Sequence, residues 1–177
     1  MRHLAQNTGR YEWYTPQWLI ERVHRALGAI DLDPASSLVA NEIVGATSYY
    51  TEADDALTKS WRGRVFLNPP YARKVIDAFI DHLLRQRKLG NCVEYVVLVN
   101  NATETRWAQR LLSASSDVCF LSRRVRFINP HGASGGPLQG QMVCYAGANG
   151  DRFVFAFQDV GVVADLAARD KRLKIVG

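Results

Sequence analysis

Asn68-Pro69-Pro70-Tyr71 closes the apolar run Val65-Phe66-Leu67, and each part of the tetrapeptide limits what can sit against it. The Asn68 side chain offers one carbonyl acceptor and one amide donor group. Proline fixes its own φ and restricts the residue before it, so the carbonyls leading into Pro69 and Pro70 lie in a stiff segment. The corner therefore presents a preset cluster of acceptors with the flat face of Tyr71 beside it. A planar ring bearing an exocyclic amine fits such a corner: the amine donates to the acceptors and the ring stacks on the tyrosine. A second polar turn, Asp33-Pro34-Ala35-Ser36, follows the apolar residues Ile30 and Leu32. Its carboxylate either faces a ligand or caps its own turn.

The elements that hold these turns can be read from spacing. Thr15 to Gly28 is expected to be a helix, with Thr15 as N-cap, Pro16 at the first helical position and Gly28 at the end. Trp18, Leu19, Val23, Ala26 and Leu27 recur along it at helical intervals. Residues 29–33 and 64–67 read as strands, and residues 36–60 as weakly patterned with a short helix around Ser37 to Asn41. Val75, Ile76, Phe79, Ile80, Leu83 and Leu84 mark one face of an amphipathic helix. Cys92 to Asn100 is a near-continuous apolar run, as in a strand covered on both faces. A helix near Thr105 to Ser113 and a strand over residues 117–121 follow. Residues 124–128 are expected to be another strand. After a Gly-rich loop, residues 141–147 and 152–157 are expected to form a hairpin through Ala148-Asn149-Gly150-Asp151. A final helix is expected near Val160 to Arg169. Alternating strands and helices mean an α/β fold, a mostly parallel sheet with helices on both faces. Such sheets bind ligands outside the carboxyl ends of their strands, where both polar turns fall.

The chain has 177 residues, enough for one domain with a real core and no separate recognition domain, expected to span residues 1–177. No apolar run approaches the roughly 18 residues of a membrane span. The first residues lack the apolar core of a secretory signal, so a cytoplasmic location is expected. Three cysteines in apolar runs, without CxxC spacing, suit buried reduced thiols. Four histidines show no ligand spacing, and no metal is expected. A net charge of +5 permits a nucleic-acid partner.

Further short motifs stand in one order along the chain. They are Glu12 to Leu19 (EWYTPQWL), Asp31 to Ser36 (DLDPAS) with Asn41 downstream, and Asp54-Asp55-Ala56-Leu57 with Trp61. After Asn68 to Tyr71 come Val96 to Asn100 (VVLVN) with Trp107, then Arg123 to Phe127 (RRVRF) and the Gly-rich stretch 135–141. This series resembles the short phage and prophage Dam family of DNA adenine-N6 methyltransferases over nearly the whole chain. The tetrapeptide at 68–71 is similar to the (D/N/S)PP(Y/F) motif of amino-methyltransferases that use S-adenosylmethionine.

The resemblance implies a Rossmann-like methyltransferase fold, abbreviated around its second and third strands. It implies a double-stranded DNA substrate, and a phage or prophage gene expressed in a bacterial host. Asn68, Pro69, Pro70 and Tyr71 then hold the target base. Trp13, Thr15, Pro16, Asp33, Pro34 and Ala35, with Asp54 or Asp55 and Asn68, line the S-adenosylmethionine site. Arg73 and Lys74, the cluster Arg123, Arg124 and Arg126, and the loop residues Ser134, Gln139 and Gln141 are expected to contact DNA. One departure stands out. The superfamily's cofactor turn is usually glycine-rich, and residues 33–37 contain no glycine. Three rival readings keep the same corner: cytosine-N4 methylation, glutamine methylation in a protein, or a non-catalytic nucleic-acid-binding relative.

Overall fold

Helix α1 (Gln17–Leu27) starts at Pro16, which itself occupies the N-cap position, one residue later than expected. It ends at Gly28, whose φ of 80° is glycine's territory and whose N–H donates to the His24 carbonyl. The computed structural model describes residues 13–72, 74–128 and 139–167. After α1 come β1 (Leu32–Asp33), α2 (Leu38–Val44), β2 (Ser48–Tyr49) and two 3-10 turns at Glu52–Asp54 and Ala56–Thr58. Then follow β3 (Gly63–Leu67), α3 (Val75–Lys88), β4 (Cys92–Asn100), α4 (Arg106–Ala114) and β5 (Asp117–Leu121). The series ends with β6 (Gln141–Ala146), α5 (Gly150–Phe157) and β7 (Gly161–Asp165).

The strands form one sheet in the order β2-β1-β3-β4-β6-β5-β7. The first four run parallel, whereas β6 is antiparallel to both β4 and β5, and β7 is antiparallel to β5. The fold is therefore a Rossmann-like α/β sheet with a parallel half and an antiparallel half. Beyond β1 it carries only the two-residue β2, the expected abbreviation. The carboxyl ends of β1, β3, β4 and β5 share one end of the sheet with the amino ends of β6 and β7.

The pleat explains the core. Val65, Leu67, Val97 and Val99 point to one face, with Leu83 of α3 and Leu111 of α4 in the same cluster. Phe66, Val96 and Leu98 point to the other, with Leu19 and Val23 of α1 and Phe153 and Phe157 of α5. Because β4 is covered on both faces from Tyr95 to Val99, that stretch carries no charged residue and no polar alternation before Asn100.

Three expected elements come out differently. Residues 152–157 are not a hairpin strand but most of α5. Phe153, Phe155 and Phe157 satisfy a two-residue period, but Phe153, Ala156 and Phe157 also satisfy a helical one. The helix buries that second set: Phe153 stacks on Tyr145 at 5.1 Å, while Phe155 is left outside. The stretch near Val160 is strand β7 through Asp165, not a helix, because its β-branched run pairs along β5. Residues 124–128 form no strand either; they touch Tyr14 through a single bridge at Ile128.

Gly63 opens β3 at φ 79°, and a Cβ there would lie 2.5 Å from Asp31 Oδ2. That carboxylate accepts from the Arg64 backbone N–H at 2.8 Å, Nε at 2.9 Å and Nη2 at 2.7 Å. Gly63→Ala should therefore strain the backbone and break this clamp between β1 and β3, costing on the order of 1–3 kcal/mol or more. A urea-unfolding midpoint equal to that of the wild type would reject this account.

Candidate active site

Strand β3 delivers Asn68 to the shared end of the sheet. Leu67 before it and Pro69 after it are buried, Pro70 is exposed and Tyr71 is half-buried. Asn68 Nδ2 donates to Thr15 Oγ1 at 3.3 Å. Its carbonyl oxygen Oδ1 is buried and has no hydrogen-bond partner among the described residues. Leaving such an acceptor unpaired costs about 1–3 kcal/mol, so a ligand donor is the natural complement. Thr15 is itself buried. It is held by the bridge in which the Tyr14 and Ile128 amides donate to each other's carbonyls, at 2.8 and 3.0 Å. The Tyr71 hydroxyl turns inward toward the Leu98 carbonyl at 3.5 Å, and burial pushes its pKa up.

Asp33 ends β1, two strands from β4, and is 3% exposed. Burial pushes its carboxyl from 3.8 up to about 6, only partly offset by the Ala35 amide and the Ser36 hydroxyl. The Ala35 N–H donates to Asp33 Oδ1 at 3.1 Å. Among the described residues no cation pairs with it. A buried carboxylate so placed suits a cationic ligand group.

Asp54 and Asp55 separate clearly. Asp54 closes a capping box with Thr51, accepting from that residue's amide and hydroxyl at 2.7 Å each, and these bonds lower its pKa. Asp55 is exposed at φ 49°, with no bond to its carboxylate found among the described residues. Both Thr51 bonds fall on Asp54 Oδ2, whereas neither oxygen of Asp55 is so engaged among the described residues. Trp13, 37% exposed, and buried Pro16 flank Thr15; Pro34 and Ala35 continue the turn after Asp33.

Lys74 is exposed at the start of α3, whereas Arg73, Ser134 and the rest of 129–138 lie outside the described residues. Arg123, Arg124 and Arg126 follow β5 at the same end of the sheet and line an open cleft of about 820 Å³ with Trp18. Gln139 is exposed, but Gln141 is 3% exposed and its amide is spent inside the protein. Gln141 Oε1 accepts from the Val125 N–H at 2.8 Å, and Nε2 donates to the Gln139 carbonyl at 2.7 Å and Asn100 Oδ1 at 3.3 Å. It braces the arginine segment against β4 instead of reaching outward to DNA. Its sequence neighbourhood does not signal this, since Val125 and Asn100, the partners that tie it into the fold, are 16 and 41 residues away. Trp18, counted on the apolar face of α1, is 41% exposed, whereas Trp61 and Trp107 are buried. No metal-binding group of His, Cys, Asp and Glu occurs among the described residues, and no helix there is long and apolar enough to cross a membrane.

A family model described as DNA N-6-adenine-methyltransferase (Dam) matches residues 3–147. No curated protein and no solved structure matches the chain.

The Asp33 geometry makes a prediction about pH. Between 3.8 and about 6 the folded chain keeps a proton that the unfolded chain has released. This carboxyl therefore lowers stability as pH rises through that window. Replacing it by Asp33→Asn should help the protein more at pH 7.5 than at pH 4.5, by roughly 2 kcal/mol. Urea unfolding of both proteins at the two pH values checks this; a difference independent of pH would mean Asp33 is ionised and satisfied throughout.

Proposed function

The chain belongs to the DNA N-6-adenine-methyltransferase (Dam) family, and from that premise we propose that it methylates N6 of an adenine swung out of double-stranded DNA, using S-adenosylmethionine. The observation that carries this reading is the buried Asn68 Oδ1, unpartnered among the described residues. In an exocyclic amine the lone pair is conjugated with the ring, which makes the nitrogen a poor nucleophile. Asn68 Oδ1 accepts one amine hydrogen and the Pro69 carbonyl the other, favouring a pyramidal nitrogen with its lone pair released. Thr15, by taking the Asn68 Nδ2 donor, keeps the carbonyl turned toward the base. Tyr71 offers its ring as a stacking surface. Extruding the base costs a few kcal/mol, and stacking on an aromatic returns about 1–3 kcal/mol per base. Holding the reacting groups in this geometry is the main catalytic device, with effective molarities of about 10⁵ M or more in good cases.

The residues present fit the cofactor. Asp33 is a buried carboxylate with no cation beside it among the described residues, and S-adenosylmethionine carries an ammonium. Trp13, Pro16, Pro34 and Ala35 would enclose it near Asp33, with Asp55 toward its polar hydroxyls. When bound, the cofactor supplies the electrophilic methyl that the amine takes up. Lys74 and the arginines after β5 give the same end of the sheet a positive charge suited to a polyanion. One domain carries both the base corner and the cofactor turn.

Two measurements test this. Duplex DNA incubated with the protein and methyl-labelled cofactor, then digested to nucleosides, should carry the label on N6-methyladenine; label confined to methylcytosine or to protein would sink the reading.

Substitutions separate the two turns. Asn68→Ala should cut turnover at least about hundredfold, the loss of roughly 2.7 kcal/mol of transition-state stabilisation, with cofactor affinity within a few-fold of wild type. Thr15→Val should lower turnover with Thr15→Ser restoring it. Asp33→Ala should instead weaken cofactor binding. In the wild type that binding should fall about tenfold per pH unit below about 6 as Asp33 takes up its proton. Equal losses of cofactor affinity in Asn68→Ala and Asp33→Ala would erase the division.

A further inference from the structure

The cleft lined by Trp18, Arg123, Arg124 and Arg126 is separate from the Asn68 corner: none of residues 68–71 borders it. It opens at the same end of the sheet, between the first turn of α1 and the loop after β5. Among the described residues its acidic lining is Asp159 alone, which is already paired. Arg22 Nη1 and Nη2 donate to the two Asp159 carboxylate oxygens at 2.7 and 2.9 Å. Arg123 and Arg126, both exposed at this cleft, therefore give it a positive charge. Leu121 and Val160 give it an apolar floor.

Trp18 is the unusual member. Its neighbours Leu19 and Ile20 are fully buried, yet its indole is 41% exposed at the cleft wall. The Arg22 guanidinium lies 5.9 Å from its ring centroid, which steadies the ring from one side. Cationic side chains around an exposed aromatic face are what single-stranded nucleic acid needs: phosphates meet the charges, and a base of any identity stacks on the ring.

Resting on the DNA reading above, we propose that this cleft is a second nucleotide site, taking the phosphates of a DNA strand on Arg123 and Arg126 and one non-target base on Trp18. The site is indifferent to base identity, since stacking uses the π-face that every base has. It fixes the strand close to the target because only Pro16 and Gln17 separate Trp18 from Thr15, which touches Asn68.

A short oligothymidylate isolates this site, because it contains no adenine for the Asn68 corner. Trp61 and Trp107 are buried, so fluorescence quenching reports Trp13 and Trp18. The full-length wild type should show quenching by the oligothymidylate. Trp18→Leu should remove most of the quench and weaken binding at least about tenfold, the loss of one stacked base. The double variant Arg123→Gln/Arg126→Gln should weaken binding and make the salt dependence shallower by about one to two counterions. Unchanged unfolding midpoints in both variants serve as the folding control. Wild-type affinity in Trp18→Leu overturns the proposal, as does equal quenching by polyglutamate at matched charge. A wild type that methylates duplex DNA without a Trp18-dependent quench overturns this inference alone. A chain that binds oligothymidylate through Trp18 yet methylates no DNA overturns the proposed activity alone.

Discussion

Strand β4 is the constraint on which the rest of the molecule depends. It pairs in parallel with β3 along one edge and antiparallel with β6 along the other. Residues 95–99 are fully buried, their side chains divided between the two core clusters. The parallel pairing sends the end of β3, and so Asn68, to the end where β4 finishes at Asn100. The antiparallel pairing brings the start of β6 to that same end, and with it Gln141. Once β4 is fixed, the Asn68 corner, the Asp33 turn and the arginine segment are brought to one end of the sheet.

At that end the protein keeps two groups that folding alone disfavours. Among the described residues, Asn68 Oδ1 is buried without a donor and Asp33 is buried without a cation. Neither could be held by a loose loop, which would turn the group to water. Asn68 is pinned between a buried strand end, a stiff prolyl segment and Thr15. Asp33 is pinned by β1, whose Asp33 carbonyl accepts from the Tyr50 N–H at 3.0 Å. Local instability tolerated at a rigidly framed site is a common mark of preorganisation for a ligand.

Gln141 and Trp18 divide the work around the arginines differently from their residue types. Gln141, a residue type suited to reading a base edge, is an internal brace that ties Val125 to β4. Trp18, a residue type usually buried, stands at the surface beside the cations. Polar and apolar character here follows position in the fold and not composition.

What the sequence determined was what local chemistry dictates. Proline restricts its neighbours wherever it stands, so the Asn-Pro-Pro-Tyr corner and the Asp-Pro turn were legible, as were the motif order and the family it belongs to. Helices α1, α3 and α4 and strands β3, β4, β5 and β6 were legible because the local pattern of each favours one element type. Tertiary structure decided the rest, wherever local patterns were ambiguous or partners were remote. Phe153 to Phe157 fits both periods, and only the need to cover Tyr145 beside α1 selects the helix. The run at 161–165 becomes a strand because β5 has a free edge. Asp54 and Asp55 are neighbours in sequence, but Thr51 captures one and leaves the other. The burial of Gln141, the exposure of Trp18 and the bond from Asn68 to Thr15 join residues 16 to 53 positions apart or set faces that no local window contains. Such contacts exist only after the sheet has closed, because burial belongs to the whole chain and not to any segment of it.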